Sequence, residues 1–315
     1  MKIAILLSTY NGESFITEQL DSIAIQSYRD FEVFIRDDGS SDNTLSLLHD
    51  YCKKDCRFKL IESNGNLGSA GSFIQLLKVV ESDVYLFSDQ DDVWLPSKVE
   101  RVVEHFKNVD MDISVLYHTD LRVVNQSLVT LHSSFLRQQC MDANYSNSKN
   151  NILIQNFVVG CTSAVNNSLK KQVFSVDFDI KNVAMHDWWL ALIAKFFGRI
   201  DFDSNKTILY RQHGKNVLGA PSNSLMRYVI SMLTGAGIGR VRNFRLKVSA
   251  QAVAFMQAYE PHLAQNHKEN LILVSKIGEG GSLRDLITCY ENGISMQGVK
   301  RNLALIYSFL FSGEK

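Results

Sequence analysis

Several absences bound what this chain can be. Its five cysteines, Cys52, Cys56, Cys140, Cys161 and Cys289, are odd in number and irregularly spaced. That argues against a disulfide framework and predicts a reducing compartment. Cys52 and Cys56 lack the further Cys/His pair that a structural zinc site needs. No apolar run approaches the roughly 18 residues that mark a membrane span, and the longest late run, Leu303–Phe311, is too short. Lys2 followed by the short run Ile3–Leu7 reads as a first strand rather than a signal peptide. No internal repeat is visible. Net charge is zero, with 33 basic and 33 acidic residues, so the total says nothing about partners. The distribution says more. Acid is missing from Ser204 to Tyr259, a stretch that carries Lys206, Arg211, Lys215, Arg227, Arg240, Arg242, Arg245 and Lys247. Such an excess suggests an anionic partner: diphosphate, lipid headgroups or nucleic acid. Nucleic acid is the weakest of these, because no aromatic or helix-turn-helix signature accompanies the charge.

What is present is alternation. Ile3–Ser8, Phe31–Arg36, Phe58–Ser63, Val84–Ser88 and Ser114–His118 read as strands. Between them Ser14–Gln26, Asp42–Lys53, Gly71–Val80 and Lys98–Phe106 carry apolar residues at helical spacing. Repeated strand–helix–strand units predict an α/β fold with a mainly parallel sheet, Rossmann-like, flanked by helices. Residues 125–150 are polar and irregular and read as an excursion over the site, whereas Phe157–Val165 is apolar and reads as passing under the pocket. His186–Phe197 reads as helix and Ile208–Arg211 as strand. Beyond Pro221 the pattern turns helical, with Gly235–Gly239 as a flexible break. The expected division is a nucleotide-binding domain over 1–220 and a helical C-terminal extension over 221–315.

In open sheets of this kind ligands sit beyond the carboxyl ends of the strands. The clusters Ser8-Thr9-Tyr10-Asn11, Asp37-Asp38-Gly39-Ser40 and Asp89-Gln90-Asp91-Asp92 all fall at such ends. The last is the most informative. Three carboxylates in four positions repel one another unless a cation neutralises them. Hard oxygen ligands select Mg²⁺ or Mn²⁺, ions that bind through one or two carboxylates and substrate phosphates. A solvated acidic turn is the plainer alternative. Asp38 could accept hydrogen bonds from a base or ribose, while Asp42 is expected only to cap its helix. The Gly-rich segment Asn64–Gly71 precedes a helix and allows close approach of an anion, but it has no Gly-Lys-Ser/Thr and so is not a P-loop. Asp187, in the first turn of a helix, either favours the helix dipole or serves as a general base. Trp188 and Trp189 could be core, or one could stack on a sugar face. His213, in the acid-free stretch, is a further metal or phosphate ligand candidate.

Leu7-Ser8-Thr9-Tyr10-Asn11-Gly12, the run from Arg36 to Thr44, Asn66-Leu67-Gly68, Ser88–Trp94 and His186-Asp187-Trp188 occur in this order. Together, over roughly residues 1–217, they resemble the family 2 glycosyltransferases of GT-A fold. Asp-Gln-Asp-Asp-Val-Trp and Tyr-Arg-Gln-His-Gly-Lys-Asn are similar to the rhamnosyltransferase-like branch that builds bacterial surface polysaccharides. The resemblance implies inverting transfer from a nucleotide-activated sugar with a divalent metal, Mn²⁺ or Mg²⁺, on the diphosphate. Ser8, Tyr10 and Asp38 would cradle base and ribose. Asn11, Asn66, Gly68, Asp89, Gln90 and Arg211 complete the candidate donor-binding set. Asp89, Asp91 and His213 are the candidate metal ligands, and Asp187 falls where the family keeps its catalytic base. His186 stands where a Glu is more common.

The expected function is therefore transfer of a sugar, L-rhamnose from dTDP-rhamnose, to a hydroxyl of a growing polysaccharide or lipid-diphosphate-linked acceptor. Alternatives are a UDP-glucose or UDP-galactose-dependent transferase, or a non-catalytic sugar-nucleotide or glycan binding module. The basic, apolar stretch 222–259 predicts peripheral contact with an anionic membrane at the cytoplasmic face, with packing in a homodimer as the rival.

Overall fold

The computed structural model describes residues 1–63, 65–144, 150–213 and 236–310. Its contacts divide the chain into two compact units. The first comprises the described parts of Met1–Gln138, Val158–Ser175 and Met185–Asn216. The second comprises those of Gln139–Phe157, Val176–Ala184 and Val217–Lys315. Two segments from within the first 220 residues thus belong with the C-terminal helices.

In the first unit β1 (Ile3–Thr9), β2 (Glu32–Asp37), β3 (Phe58–Ile61) and β4 (Val84–Ser88) pair in parallel in the order β3-β2-β1-β4. The helices α1 (Ile16–Ala24), α2 (Thr44–Lys54) and α3 (Gly68–Val79) cross over between them. β1 and β4 are buried nearly throughout, as their unbroken apolar runs require of strands covered on both faces. After the short β5 (Val93–Trp94), α4 (Lys98–Lys107) buries Val99, Val102, Val103 and Phe106, a single helical stripe. β6 (Ser114–Val124) is longer than its apolar core suggests, and β7 (Thr130–His132) folds back on it. β8 (Ser163–Asn166) lies antiparallel between β4 and β6, and β9 (Gly198–Arg211) runs parallel to β6 and antiparallel to β5. The sheet of the described residues therefore has nine strands, mainly parallel at one end and mixed at the other. Short helices α5 (Phe135–Gln138) and α6 (Asn167–Val173) precede α7 (His186–Phe197), in which His186 to Ala194 are all buried.

Three expectations are corrected here. β9 starts at Gly198, ten residues before the apolar segment at Ile208, because the mostly polar residues between pair along β6. Asp42 does not cap α2 from the N-cap position, which Asn43 holds; its carboxylate instead accepts from Thr44 N at 3.0 Å and Glu13 N at 3.1 Å. The irregular stretch 125–150 contains β7 and α5, with 145–149 outside the described residues.

The second unit holds α8 (Ala236–Tyr259), α9 (Gln265–Ser275), α10 (Leu283–Glu291) and α11 (Val299–Leu310). Ala236–Gly239 is the first turn of α8, not a break; Gly235 lies outside the described residues. Val248, Phe255, Tyr259, Val274, Leu286 and Leu305 fill its interior. Asp142 is tied in by a reciprocal pair: its N donates to Gln297 Oε1 at 2.7 Å, and Gln297 Nε2 donates to Asp142 O at 2.8 Å. Among the described residues, no helix is long and apolar enough to cross a membrane.

Arg245, counted in the basic stretch expected to face an anionic membrane, is 5% exposed. Its guanidinium donates to Ile277 O at 3.0 Å, Gly278 O at 3.1 Å and Ser308 O at 3.2 Å, and lies over the Phe309 ring at 3.6 Å. It thereby ties α8 to the end of α9 and to α11. Arg242, by contrast, is exposed. Arg245→Gln strands buried carbonyls and is expected to cost roughly 1.5–3 kcal/mol of stability, with Arg242→Gln near neutral. Urea denaturation of the two variants checks this; equal midpoints would contradict the tie.

Candidate active site

The parallel register sets Thr9 beside Asp37 and Leu7 beside Ser88, so β1, β2 and β4 end on the same edge of the sheet. The polar clusters predicted at strand ends meet there. Thr9 Oγ1 donates to Asp37 Oδ1 at 2.9 Å, and Ser8 Oγ to Ser72 Oγ at 2.6 Å. Gln90 reaches back to β1: its Oε1 accepts from Tyr10 N at 2.8 Å, and its Nε2 donates to Tyr10 O at 3.0 Å. Asn11 Oδ1 accepts from Ser41 N at 2.8 Å. The loops after β1, β2 and β4 are thus one hydrogen-bonded rim.

Asp38 is 3% exposed. Its Oδ1 accepts from the Arg36 guanidinium and, at 2.8 Å, from Leu67 N. No described residue donates to its Oδ2. Asn66 braces the same corner, donating Nδ2 to Asp38 O at 2.9 Å and accepting Gly68 N at 3.0 Å. The side chains of Asn66 and Gln90, placed in the donor-binding set from sequence, hold loops in shape. Tyr10 is half exposed at the rim.

Arg211 is corrected more strongly. It is 2% exposed, and its side chain serves protein acceptors. Nε donates to Asp91 O at 2.9 Å, and the terminal nitrogens to Gln126 O and Glu18 Oε2. With its backbone N on Asp92 Oδ1 at 3.2 Å, it clamps β9 to the acidic loop. That clamp delivers His213, whose Nε2 lies 2.6 Å from Asp91 Oδ2 while its ring packs on Phe15 at 5.0 Å. Gly214–Lys215–Asn216 lie outside the described residues.

Of the expected metal set, Asp91 and His213 therefore meet. Asp89 is grouped instead with Asp92 and Cys161, whose ligand atoms all lie within 4.8 Å of one another. Burial, and then the charges of Asp91 and Asp187, push the Asp89 carboxyl up to about 7. Asp92, fully buried, is driven well above the usual carboxylate range by burial and by Asp91 and Asp89, and its Oδ2 has no hydrogen-bond partner. Burial also raises the Cys161 thiol and lowers Lys98 to about 8; the Lys98 ammonium sits 4.6 Å from the Trp94 ring centroid. Crowded, under-neutralised carboxylates attract a divalent cation. A carboxylate and an imidazole in contact at the partly exposed mouth are a donor set that suits Mn²⁺ or Mg²⁺. The residues present fit such an ion.

Asp187 opens α7 and is 6% exposed. Its Oδ2 accepts from Gly160 N at 2.9 Å and its Oδ1 from Trp188 N at 2.6 Å. Trp188 and Trp189 are both buried, so neither offers a face to a sugar. His186 is 3% exposed between Phe73 and Phe87, at ring-centroid distances of 4.2 and 5.4 Å, and burial lowers it to about 3. Sequence reasoning missed Cys161 and Lys98 as parts of the acidic cluster. The available signal was a single cysteine inside the apolar run expected beneath the pocket.

Residues 4–175 match Glycosyl transferase family 2. The chain is 28% identical over 281 residues to the dTDP-rhamnosyl transferase RfbG of Shigella flexneri, covering 85% of this chain and 91% of that protein. It is 29% identical over 191 residues to the UDP-Glc:alpha-D-GlcNAc-diphosphoundecaprenol beta-1,3-glucosyltransferase WfgD of Escherichia coli, covering 60% and 68%. Its fold is similar to that of the mannosyltransferase PcManGT from Pyrobaculum calidifontis, solved with GDP-Man and Mn²⁺, at TM-score 0.55 and 17% identity over 99% of this chain and 88% of that one. The matched residues begin in β1, contain the whole acidic loop and run past β8, and on that evidence the chain belongs to the family 2 glycosyltransferases and has their GT-A-type fold.

Proposed function

We propose that this glycosyltransferase is metal-dependent and inverting, and that it moves L-rhamnose from dTDP-rhamnose to a hydroxyl of a growing bacterial surface polysaccharide. The observation that carries the reading is the meeting of Asp91 with His213 at the mouth of a crevice whose acidic loop also feels the charge of Asp187. A cation binder and a lone carboxylate on one edge are what displacement at an anomeric carbon needs. The choice of donor rests on the Shigella relative, which spans most of both chains.

Tyr10 offers a half-exposed ring for stacking a base, and Asp38 Oδ2 would accept from the base or ribose. Ser8, Asn11, Gly68 and Asp89 line the same rim, with Gln90, Asn66 and Arg211 holding its loops. Asp91 and His213, with Asp89, would hold the metal ion, which when bound neutralises charge on the departing nucleoside diphosphate. Asp187 takes the proton from the acceptor hydroxyl as its oxygen attacks C1, on the face opposite the leaving group. Two backbone N–H groups aim its carboxylate.

A UDP-glucose or UDP-galactose donor is the second reading, favoured by the Escherichia coli relative, whose name also supplies the precedent for a lipid-diphosphate acceptor. Such an acceptor would bring the chain to a cytoplasmic membrane surface. Of the cations proposed to contact it, Arg240, Arg242 and Lys247 are exposed on α8. Leu225, Met226, Arg227, Tyr228, Val229, Ile230, Met232 and Leu233 lie outside the described residues. A homodimer would use the same surface instead. A purely binding module has no use for Asp187.

The donor is tested by measuring nucleoside diphosphate released from dTDP-L-rhamnose, UDP-glucose and UDP-galactose with Mn²⁺. Turnover is expected with the first; turnover of a UDP-hexose alone would exclude rhamnosyl transfer. Asp187→Asn is expected to bind donor normally and to turn over roughly 10²–10⁴-fold more slowly. Lost donor binding with an unchanged rate at saturation would make Asp187 a substrate-holding residue instead.

A further inference from the structure

Asp187 is aimed by a turn that has no room to relax. The Gly160–Thr162 turn is pinned on both sides of its bond to Asp187: Ser163 Oγ donates to Gly160 O at 2.7 Å, and Thr162 N to Val159 O at 2.9 Å. Above the Gly160 α-carbon stands the imidazole of His186. A β-carbon at Gly160 would lie 2.8 Å from His186 Nε2, 3.0 Å from its Cε1 and 3.5 Å from Asp187 Oδ2. The first is closer than packed atoms tolerate, and the second is tighter than most packed contacts. Phe73 and Phe87 pack against the ring and oppose its retreat. Neither His186 nitrogen has a hydrogen-bond partner. Burying an imidazole in this way costs stability, so hydrogen bonding does not account for the ring; the space it fills does.

We propose that Gly160 and His186 are a positioning pair for Asp187. The His186 ring admits only hydrogen at the Gly160 α-carbon, and that close approach keeps the Gly160 N–H on Asp187 Oδ2. The inference rests on Asp187 being the general base. Reacting groups must be held to within about 0.5 Å of their productive geometry, and a misplacement of about 1 Å costs on the order of 10²-fold in rate. Gly160→Ala pushes the turn off Asp187. His186→Ala opens space for that methyl group.

The test is a set of variants assayed for kcat and donor KM with dTDP-L-rhamnose, UDP-glucose and UDP-galactose, and by amide hydrogen exchange at Gly160, which needs no donor. Gly160→Ala is expected to lower kcat roughly 10- to 100-fold with little change in donor KM, and to speed exchange at residue 160. The double variant Gly160→Ala/His186→Ala should recover most of both losses. In an Asp187→Asn background Gly160→Ala should lower kcat no further. Unchanged exchange and kcat in Gly160→Ala would overturn the pair. So would failure of His186→Ala to rescue, a parallel fall in donor affinity, or a full additional loss in the Asp187→Asn background. Normal turnover by Asp187→Asn would instead remove the base assignment on which the pair depends, a separate outcome from a slow Asp187→Asn beside an unaffected Gly160→Ala.

Discussion

Carboxylates crowded at the end of a buried strand are the constraint on which the rest of the first unit turns. β4 is apolar and enclosed, and Asp89, Asp91 and Asp92 follow directly from it. Charges brought so close in a dehydrated place favour their protonated forms unless something positive is supplied. The fold supplies part of it. The Arg211 guanidinium and backbone grip the loop, His213 meets Asp91, and the Lys98 ammonium is attracted by Asp92 and Cys161. The remainder shows in the raised carboxyls of Asp89 and Asp92 and in the unpartnered Asp92 Oδ2. That residual deficit is what a bound cation would relieve.

The same constraint explains why so many polar side chains at this edge bond to protein. A diphosphate-sized ligand needs a rim whose loops do not drift. Gln90 locks the loop after β1, Asn66 the corner beside Asp38, and Arg211 the end of β9. Residues of this kind resemble ligand-binding groups in a sequence because they sit beside them. In the second unit Arg245 plays the equivalent part for a helical bundle, satisfying carbonyls at the end of α9 and in α11 that would otherwise be buried without donors.

Much of the sheet was legible because its strands are apolar on both faces and short. β1, β2 and β4, and the helices from α1 to α4, fall where periodicity puts them, within a few residues. β9 was half hidden: its first ten residues are mostly polar, with only Ile200 and Phe202 as large apolar residues, and pairing with β6 makes them strand. The fate of a charge was the least legible feature. Arg245 and Arg211 look like their exposed neighbours in sequence, and only tertiary packing turns them into buried clamps. Cys161 and Lys98 entered the acidic cluster unseen for the same reason. The gathering of the strand-end acids follows from parallel pairing alone, so their common edge could be anticipated, whereas the partition of Asp89 toward Asp92 and Cys161 could not.

The central claim is that the acidic loop is a cation site short of positive charge. Calorimetric titration with Mn²⁺ near neutral pH, repeated in two buffers of different ionisation enthalpy, tests it most directly. A metal that enters must displace protons held by the raised carboxyls. With the Asp89 carboxyl raised to about 7 and that of Asp92 raised as well, binding should release protons at neutral pH and fewer as the pH rises. Mn²⁺ binding with no proton release at neutral pH, or binding unaffected by Asp91→Asn, would contradict the account.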